Sequence, residues 1–438
     1  MTTRAALPRA LGAFAASGTL VGIMIGSGIF RVPSAVATLV PDTGWFLAVW
    51  VVGGLLALAG AFVFAEFAAM FPDTGGRYVY LREGISPVAA YAYAIGNVLL
   101  LRPTSLAARA MLIAAYIGAL VPVADGHAHL TAAAILIGLG LLNVVSTRLT
   151  AASTAITAAG KAGLLGLLAL LLLAAEPGSH AATAITPTGP LSLQNFGLAL
   201  VTVVWTYSGW GQTTYITGEV RDAERTMPRV LIGGVGFVIV LFLALNLGYL
   251  HALGLPGVAA SSAVATDAAS AALGARGAQL VSVLVIVSVL GSLAGSMFTS
   301  PRLPFALGQD SRRLRALARV HGAYQTPHVA VAVTVGLAVI YLWGSSFEKL
   351  VSDYILGSWP FYVLCGIGFF RLRRLRPDAA RPYRAPGYPW VPGFFLATAT
   401  AMVINGFAAD PIGAITGSWV MLIGIPVYWL VRDRPETP

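Results

Sequence analysis

Apolar residues in this chain fall into stretches long enough to cross a bilayer, and no water-soluble arrangement buries them all. Twelve such segments can be read, at roughly 11–39, 44–70, 87–121, 129–147, 150–174, 194–217, 229–252, 279–307, 328–343, 350–371, 390–408 and 413–431. Only 10% of residues are charged against 57% hydrophobic, too little charge to cover a soluble surface. The expected fold class is an all-α polytopic membrane protein. The longest loops, about 253–278 and 372–389, are too short to fold alone, so one transmembrane domain is expected over 1–438. The first segment is too long for a cleaved signal peptide.

A net charge of +10 invites a nucleic-acid reading, which the positions of the charges refute. Basic residues gather in alternate loops: Arg4, Arg9, Arg77, Arg82, Arg148, Arg221, Arg225, the 312–319 cluster, the 371–376 cluster and Arg432 fall in one set. The other set holds only Arg276 and Lys349. That asymmetry predicts both termini in the cytoplasm, a multi-pass location in the inner (plasma) membrane, and the lipid bilayer rather than nucleic acid as partner. The lone cysteine, Cys365, lies inside the tenth segment and can form no internal disulfide.

Inside the first segment, Gly26-Ser27-Gly28-Ile29-Phe30 interrupts the helix, because two glycines and a serine pack poorly and have low helix propensity. Broken backbone at membrane depth is tolerated only where it faces protein or a water-filled cavity. The sixth segment carries a second interruption, Trp205-Thr206-Tyr207-Ser208-Gly209-Trp210. The two breaks open corresponding segments of two five-helix halves, about 11–174 and 194–371, with two extra helices over about 390–431. An odd number of spans inverts the second half, and paired breaks in inverted repeats point to a substrate site at the midplane.

The physics of such a site follows from the helix ends. A half-helix beginning near Gly28 presents unsatisfied N–H groups and a positive dipole end to an anion. A half-helix ending near Met24 presents carbonyls suited to an ammonium, and Trp205 to Ser208 supply a second set. An α-amino acid carries both charges on adjacent atoms. The competing reading is that these glycines serve close helix packing, which suits one break alone far better than two in matching positions.

The residues at these positions resemble the amino acid–polyamine–organocation superfamily, and within it the L-type amino acid transporter family. Gly-Ser-Gly-Ile-Phe at 26–30 matches the first-helix motif, and Phe71-Pro72-Asp73-Thr74-Gly75-Gly76-Arg77-Tyr78-Val79-Tyr80 resembles the loop after helix two. Arg102-Pro103, Tyr207-Ser208-Gly209-Trp210 with Glu219, Phe298-Thr299-Ser300 with Arg302, and Arg381-Pro382-Tyr383 extend the likeness over nearly the whole chain. The resemblance implies a LeuT-like 5+5 inverted repeat with twelve transmembrane helices, helices 1 and 6 unwound at the midplane, and alternating access around an amino acid. No cofactor, metal or catalytic residue is implied. The chain departs from the pattern at Gly218, at Ala294-Gly295 and at Gln309-Asp310-Ser311. No cysteine precedes helix four, so no disulfide-linked heavy chain is expected.

Met24, Gly26, Ser27, Gly28, Trp205, Tyr207, Ser208 and Trp359 are the candidate substrate residues. Trp205 is expected as an aromatic cover, with packing as its alternative, and Trp359 as pocket wall or interfacial anchor. Lys161 lies deep in segment five, where an ammonium is costly unless paired, although a snorkelling lysine is the alternative. By the resemblance it stands where sodium-coupled relatives bind a cation, donating to carbonyls of the first helix and to Ser292 or Ser296. No sodium requirement is then expected. Arg102 and Arg109 share a face of segment three and either approach the pathway or pair with Glu66. Arg31 either serves an outer gate or packs on Asp42.

These readings converge on transport of neutral L-amino acids, as an exchanger. The alternatives are a proton-coupled symporter, a carrier of cationic amino acids or polyamines, and a transporter-like sensor. An intramembrane enzyme has no supporting motif: the spans contain no His-Glu-x-x-His, no Gly-x-Gly-Asp and no Gly-x-Ser-Gly with a partnered histidine.

Overall fold

Helix boundaries in the computed structural model follow the punctuation of the sequence. It describes residues 7–120, 126–176, 192–344, 347–409, 411 and 422–431. Among these residues the only β feature is an isolated parallel bridge between Leu11 and Val220. The helices, in order, are α1 (Ala13–Met24), α2 (Gly28–Leu39), α3 (Thr43–Met70), α4 (Arg77–Gly84), α5 (Pro87–Gly96), α6 (Arg102–Leu120), α7 (Ala128–Val145), α8 (Thr147–Ala174) and α9 (Leu193–Thr206). There follow α10 (Trp210–Thr213), α11 (Ala223–Ala260), α12 (Val264–Thr299), α13 (Arg302–Gln309), α14 (His328–Gly344), α15 (Phe347–Leu375), α16 (Trp390–Ala409) and α17 (Gly424–Val431). A π-helical turn, Asn97–Leu101, joins α5 to α6, and a 3-10 stretch, Thr214–Glu219, follows α10.

Side-chain caps set several starts. Asp42 accepts from Trp45 N at 3.0 Å before α3, Ser86 caps α5 beside Pro87, and Ser146 accepts from Leu149 N at 3.1 Å before α8. Six helices or helix runs among the described residues are long and apolar enough to cross a membrane, and the pair α1–α2, bent by 41°, makes a seventh. Two shorter apolar helices lie at His328–Trp343 and Trp390–Asn405. Residues 413–421 of the twelfth segment, and residues 345–346 between the ninth and tenth, lie outside the described residues. Leu130, Leu141, Ile156, Leu164, Leu167 and Leu170 stay exposed on α7 and α8, an outer face that only lipid satisfies.

Two expectations about loops need correction. The stretch 253–278, read as loop, is mostly helical: α11 runs to Ala260 and α12 starts at Val264. Gly254 (φ 65°) and Gly274 (φ 70°) bend the chain there, and alanine-rich sequence restarts the helix after each turn. The loop after segment two folds into α4, whose Tyr78 and Tyr80 are buried. Gly75 and Gly76 enter it at φ 122° and 51°, and a Cβ on Gly76 would lie 2.3 Å from Thr214 Oγ1.

α1 packs on α8, α11 and α12, while α2 packs on α9 and α11. Gly18 and Gly22 let α1 approach α8 closely: a Cβ on Gly18 would stand 2.4 Å from Ala155 Cα. These are packing glycines, one helical turn apart. Those at 26, 28 and 209 differ, as they sit at helix ends. At one end of the helices, buried Glu66 accepts from Arg373 Nε (2.7 Å), Arg373 Nη2 (2.5 Å) and Ala385 N (2.7 Å), with Arg381 Nε 3.4 Å away. Glu66 thus ties α3 to α15 through Arg373 and to the stretch after α15 through Arg381, not through Arg102 or Arg109.

Candidate functional site

The first helix stops where its sequence stops supporting it. Ile25 N still donates to Val21 O (3.0 Å), Gly26 N turns back to Met24 O (2.9 Å), and α2 restarts at Gly28. The sixth segment stops at Thr206; Tyr207 N reaches Val203 O and Ser208 N reaches Trp205 O, both at 3.0 Å. Gly209 then takes a left-handed φ of 111° that a side chain would resist, and α10 begins at Trp210.

The two interruptions abut. A Cβ on Gly28 would lie 2.8 Å from Thr206 Oγ1 and Cγ2, and one on Gly209 would lie 2.8 Å from Ile23 Cγ2. Glycine is required at both because backbone meets side chain across the junction. Between the breaks lies a cavity of about 50 Å³, lined by Met24, Gly26, Ser27 and Gly28 from the first break and by Trp205, Thr206 and Ser208 from the second. α6 adds Ser105, Ala108, Arg109 and Leu112, and α12 adds Ser292.

Lys161 seals the underside of the first break. Fully buried, its Nζ donates to Gly22 O and Ile25 O at 2.6 Å each and to Ser288 O at 3.0 Å. Three acceptors match the three protons of an ammonium, so the charge is met by main-chain dipoles at the end of α1. The snorkelling alternative fails. Its contact with α12 differs from expectation: the carbonyl of Ser288 accepts, not a hydroxyl of Ser292 or Ser296. The Ser292 hydroxyl donates instead to Ile23 O (3.0 Å), and Ser288 Oγ approaches Ile25 O at 3.4 Å. The freed carbonyls of α1 are therefore largely engaged from below.

Other candidates separate into those at the cavity and those outside it. Met24, Gly26, Ser27, Gly28, Trp205, Ser208 and Ser292 line it. Ser296 sits one turn further along α12 and hydrogen-bonds Arg109 Nη1, which also donates to Ser292 O at 3.3 Å. Tyr207 turns away; its ring is buried against Trp50 (5.9 Å) and Phe242 (5.3 Å). Trp359 lies outside the lining, 5.1 Å from the Tyr362 ring and packed beside Leu56, Val204 and Met402. Arg102 donates to Asn97 Oδ1 (3.3 Å), and Arg31 is exposed.

Sequence reasoning passed over Ser105, Ala108 and Leu112 and left Arg109 undecided. Their spacing, i, i+3, i+4 and i+7, is that of a single helix face and would have grouped them. A second feature stands near the bases of these helices. Arg302, fully buried, grips Glu219 through Nε–Oε1 (2.8 Å) and Nη2–Oε2 (3.0 Å) and also donates to Phe298 O (2.6 Å). Leu11 N donates to Glu219 O (3.0 Å) and Arg221 N to Leu11 O (2.8 Å), so the chain before α1 is laced to the loop after the sixth segment.

Comparison with known proteins agrees with this geometry. The amino acid permease family model matches residues 11–431. The serine/threonine exchanger SteT of Bacillus subtilis is 28% identical over 98% of both chains. The human b(0,+)-type amino acid transporter 1 is 28% identical over 87% of this chain and 79% of its own length. The human cystine/glutamate transporter is 26% identical over 94% and 83% respectively. These relatives are transporters and exchangers, not enzymes. With a family match over nearly its full length and paired helix breaks around a cavity, this chain belongs to the amino acid permease family, within the amino acid–polyamine–organocation superfamily.

Proposed function

We propose that the chain exchanges small or medium neutral L-amino acids across the plasma membrane by alternating access, without sodium. The observation that carries this reading is the junction of the two helix breaks around one cavity, with the ammonium of Lys161 fixed beneath it. The substrate carboxylate meets the first N–H groups of α2 near Ser27 and Gly28, and its ammonium meets the carbonyls at the end of α9, those of Gly22 to Ile25 being already engaged. Trp205 covers the bound molecule. Lys161 supports sodium independence, since its nitrogen takes the carbonyls that a bound cation would otherwise use.

Size favours small substrates. A cavity of about 50 Å³ leaves little room beyond the α-amino acid group, which limits the length of the side chain. Exchange is supported by the likeness to the serine/threonine exchanger of Bacillus subtilis. The 5+5 inverted repeat, twelve spans and cytoplasmic termini complete the proposal, resting on paired breaks and on the loop arginines. No disulfide-linked heavy chain is proposed, because the single cysteine, Cys365, is buried.

Counterflow in proteoliposomes tests the proposal, with sodium and pH gradients varied separately. Labelled alanine or serine is expected to accumulate when unlabelled amino acid is inside, with no change on removing sodium. Strict dependence on sodium, or saturable binding with no flux, would refute it.

A further inference from the structure

Arg109 is the sole charged side chain among the described residues that line the cavity. It projects from the same face of α6 as Ser105, and its Nη1 is held by Ser292 O (3.3 Å) and by the hydroxyl of Ser296. The guanidinium is therefore fixed in direction by α12. The rest of the wall is apolar or hydroxylic, with Ser27, Ser105, Thr206, Ser208 and Ser292 its other polar side chains. In a partly enclosed cavity a fixed guanidinium favours oxygen acceptors and disfavours cations.

The two charges common to every amino acid are placed at the helix breaks in the reading above. The cation on the α6 wall is then the charged group nearest at hand for the third group, the side chain, to meet within this lining. We propose that Arg109 selects substrates by a short side chain ending in an oxygen acceptor. The carboxylate of aspartate ranks first, the hydroxyl of serine or threonine next, alanine lower, and lysine or arginine is excluded. The small volume sets the length limit, and the positive wall sets the sign. This inference rests on the cavity being the amino acid site and extends the substrate range from neutral to acidic residues.

The test is counterflow of labelled L-alanine in proteoliposomes carrying wild type, Arg109→Gln or Arg109→Lys, with unlabelled L-aspartate, L-serine, L-alanine and L-lysine as competitors. The readout is the ratio of half-inhibiting concentrations, aspartate to alanine, which is insensitive to the amount of active protein. In the wild type that ratio is expected below one. In Arg109→Gln it is expected to rise about tenfold or more, the usual worth of a charge-assisted hydrogen bond, and lysine competition is expected to appear. Arg109→Lys keeps the charge but not the fork, and is expected to fall between.

An unchanged ratio in Arg109→Gln overturns the inference, as does loss of all counterflow in both variants, which assigns Arg109 to holding the fold. If the wild type itself shows no amino acid counterflow, the transport reading fails instead, so the two failures are told apart.

Discussion

Replacing Lys161 with alanine is the sharpest perturbation of the junction. Three hydrogen bonds from a charged donor disappear, at 2.6, 2.6 and 3.0 Å, and Gly22, Ile25 and Ser288 keep their carbonyls in a buried site. Each such bond contributes about 1.5–3 kcal/mol, while removing the ammonium also relieves its cost of burial, and water can enter the vacated space. A net loss of about 3 kcal/mol in holding α1 to α8 and α12 is the expected scale. At about 1.4 kcal/mol per factor of ten, that shifts a two-state balance by roughly a hundredfold. Transport that cycles α1 between two positions then slows at least about tenfold. The assay is the initial rate of amino acid counterflow for Lys161→Ala and the similarly shaped Lys161→Met, with thermal unfolding in detergent as a check on folding. Wild-type kinetics in a folded Lys161→Ala protein would remove Lys161 from the mechanism.

Three further outcomes follow from particular contacts. Glu219→Gln leaves Arg302 charged and buried, so thermal unfolding is expected to reveal a loss of about 3–5 kcal/mol, while the double change Glu219→Leu with Arg302→Met recovers part of it; a double variant no better than the single one contradicts this. Gly28→Ala drives a methyl into Thr206, raising the KM for counterflow, and Thr206→Ala on that background is expected to restore much of the affinity. No rescue would mean that Gly28 acts otherwise. Gly76→Ala combines a φ of 51° with a 2.3 Å approach to Thr214 Oγ1, so it is expected to cost more than about 1 kcal/mol in unfolding, whereas Gly160→Ala, with nothing within 4 Å, is expected to be neutral or better.

Where the chain breaks was legible because the signal is local. Gly26, Ser27, Gly28 and Gly209 together weaken the helix locally, and the structure ends α1 at Met24 and α9 at Thr206 beside them. The depth of Lys161 was legible too, since a charge amid apolar residues must find acceptors. Side-chain direction at a break was not. Once the 3.6-residue period stops at Thr206, nothing local says where Tyr207 points, and its ring joins Trp50 and Phe242. Trp359 follows the rotation of α15, which is set by its packing on α16 and α6. The acceptor on α12 shifted from Ser292 to Ser288 for the same reason: one turn of register between α8 and α12 is a tertiary quantity. The stretch 253–278 reads as loop because it falls between two apolar segments, although alanine continues the helix on either side of Gly254 and Gly274.

A structure determined with a bound amino acid tests the central claim most directly. The account predicts density between residues 26–28 and 205–208, with the carboxylate about 3 Å from main-chain N–H groups of Ser27 or Gly28. A substrate bound elsewhere, with this cavity empty or α1 and α2 joined as one helix, would contradict it.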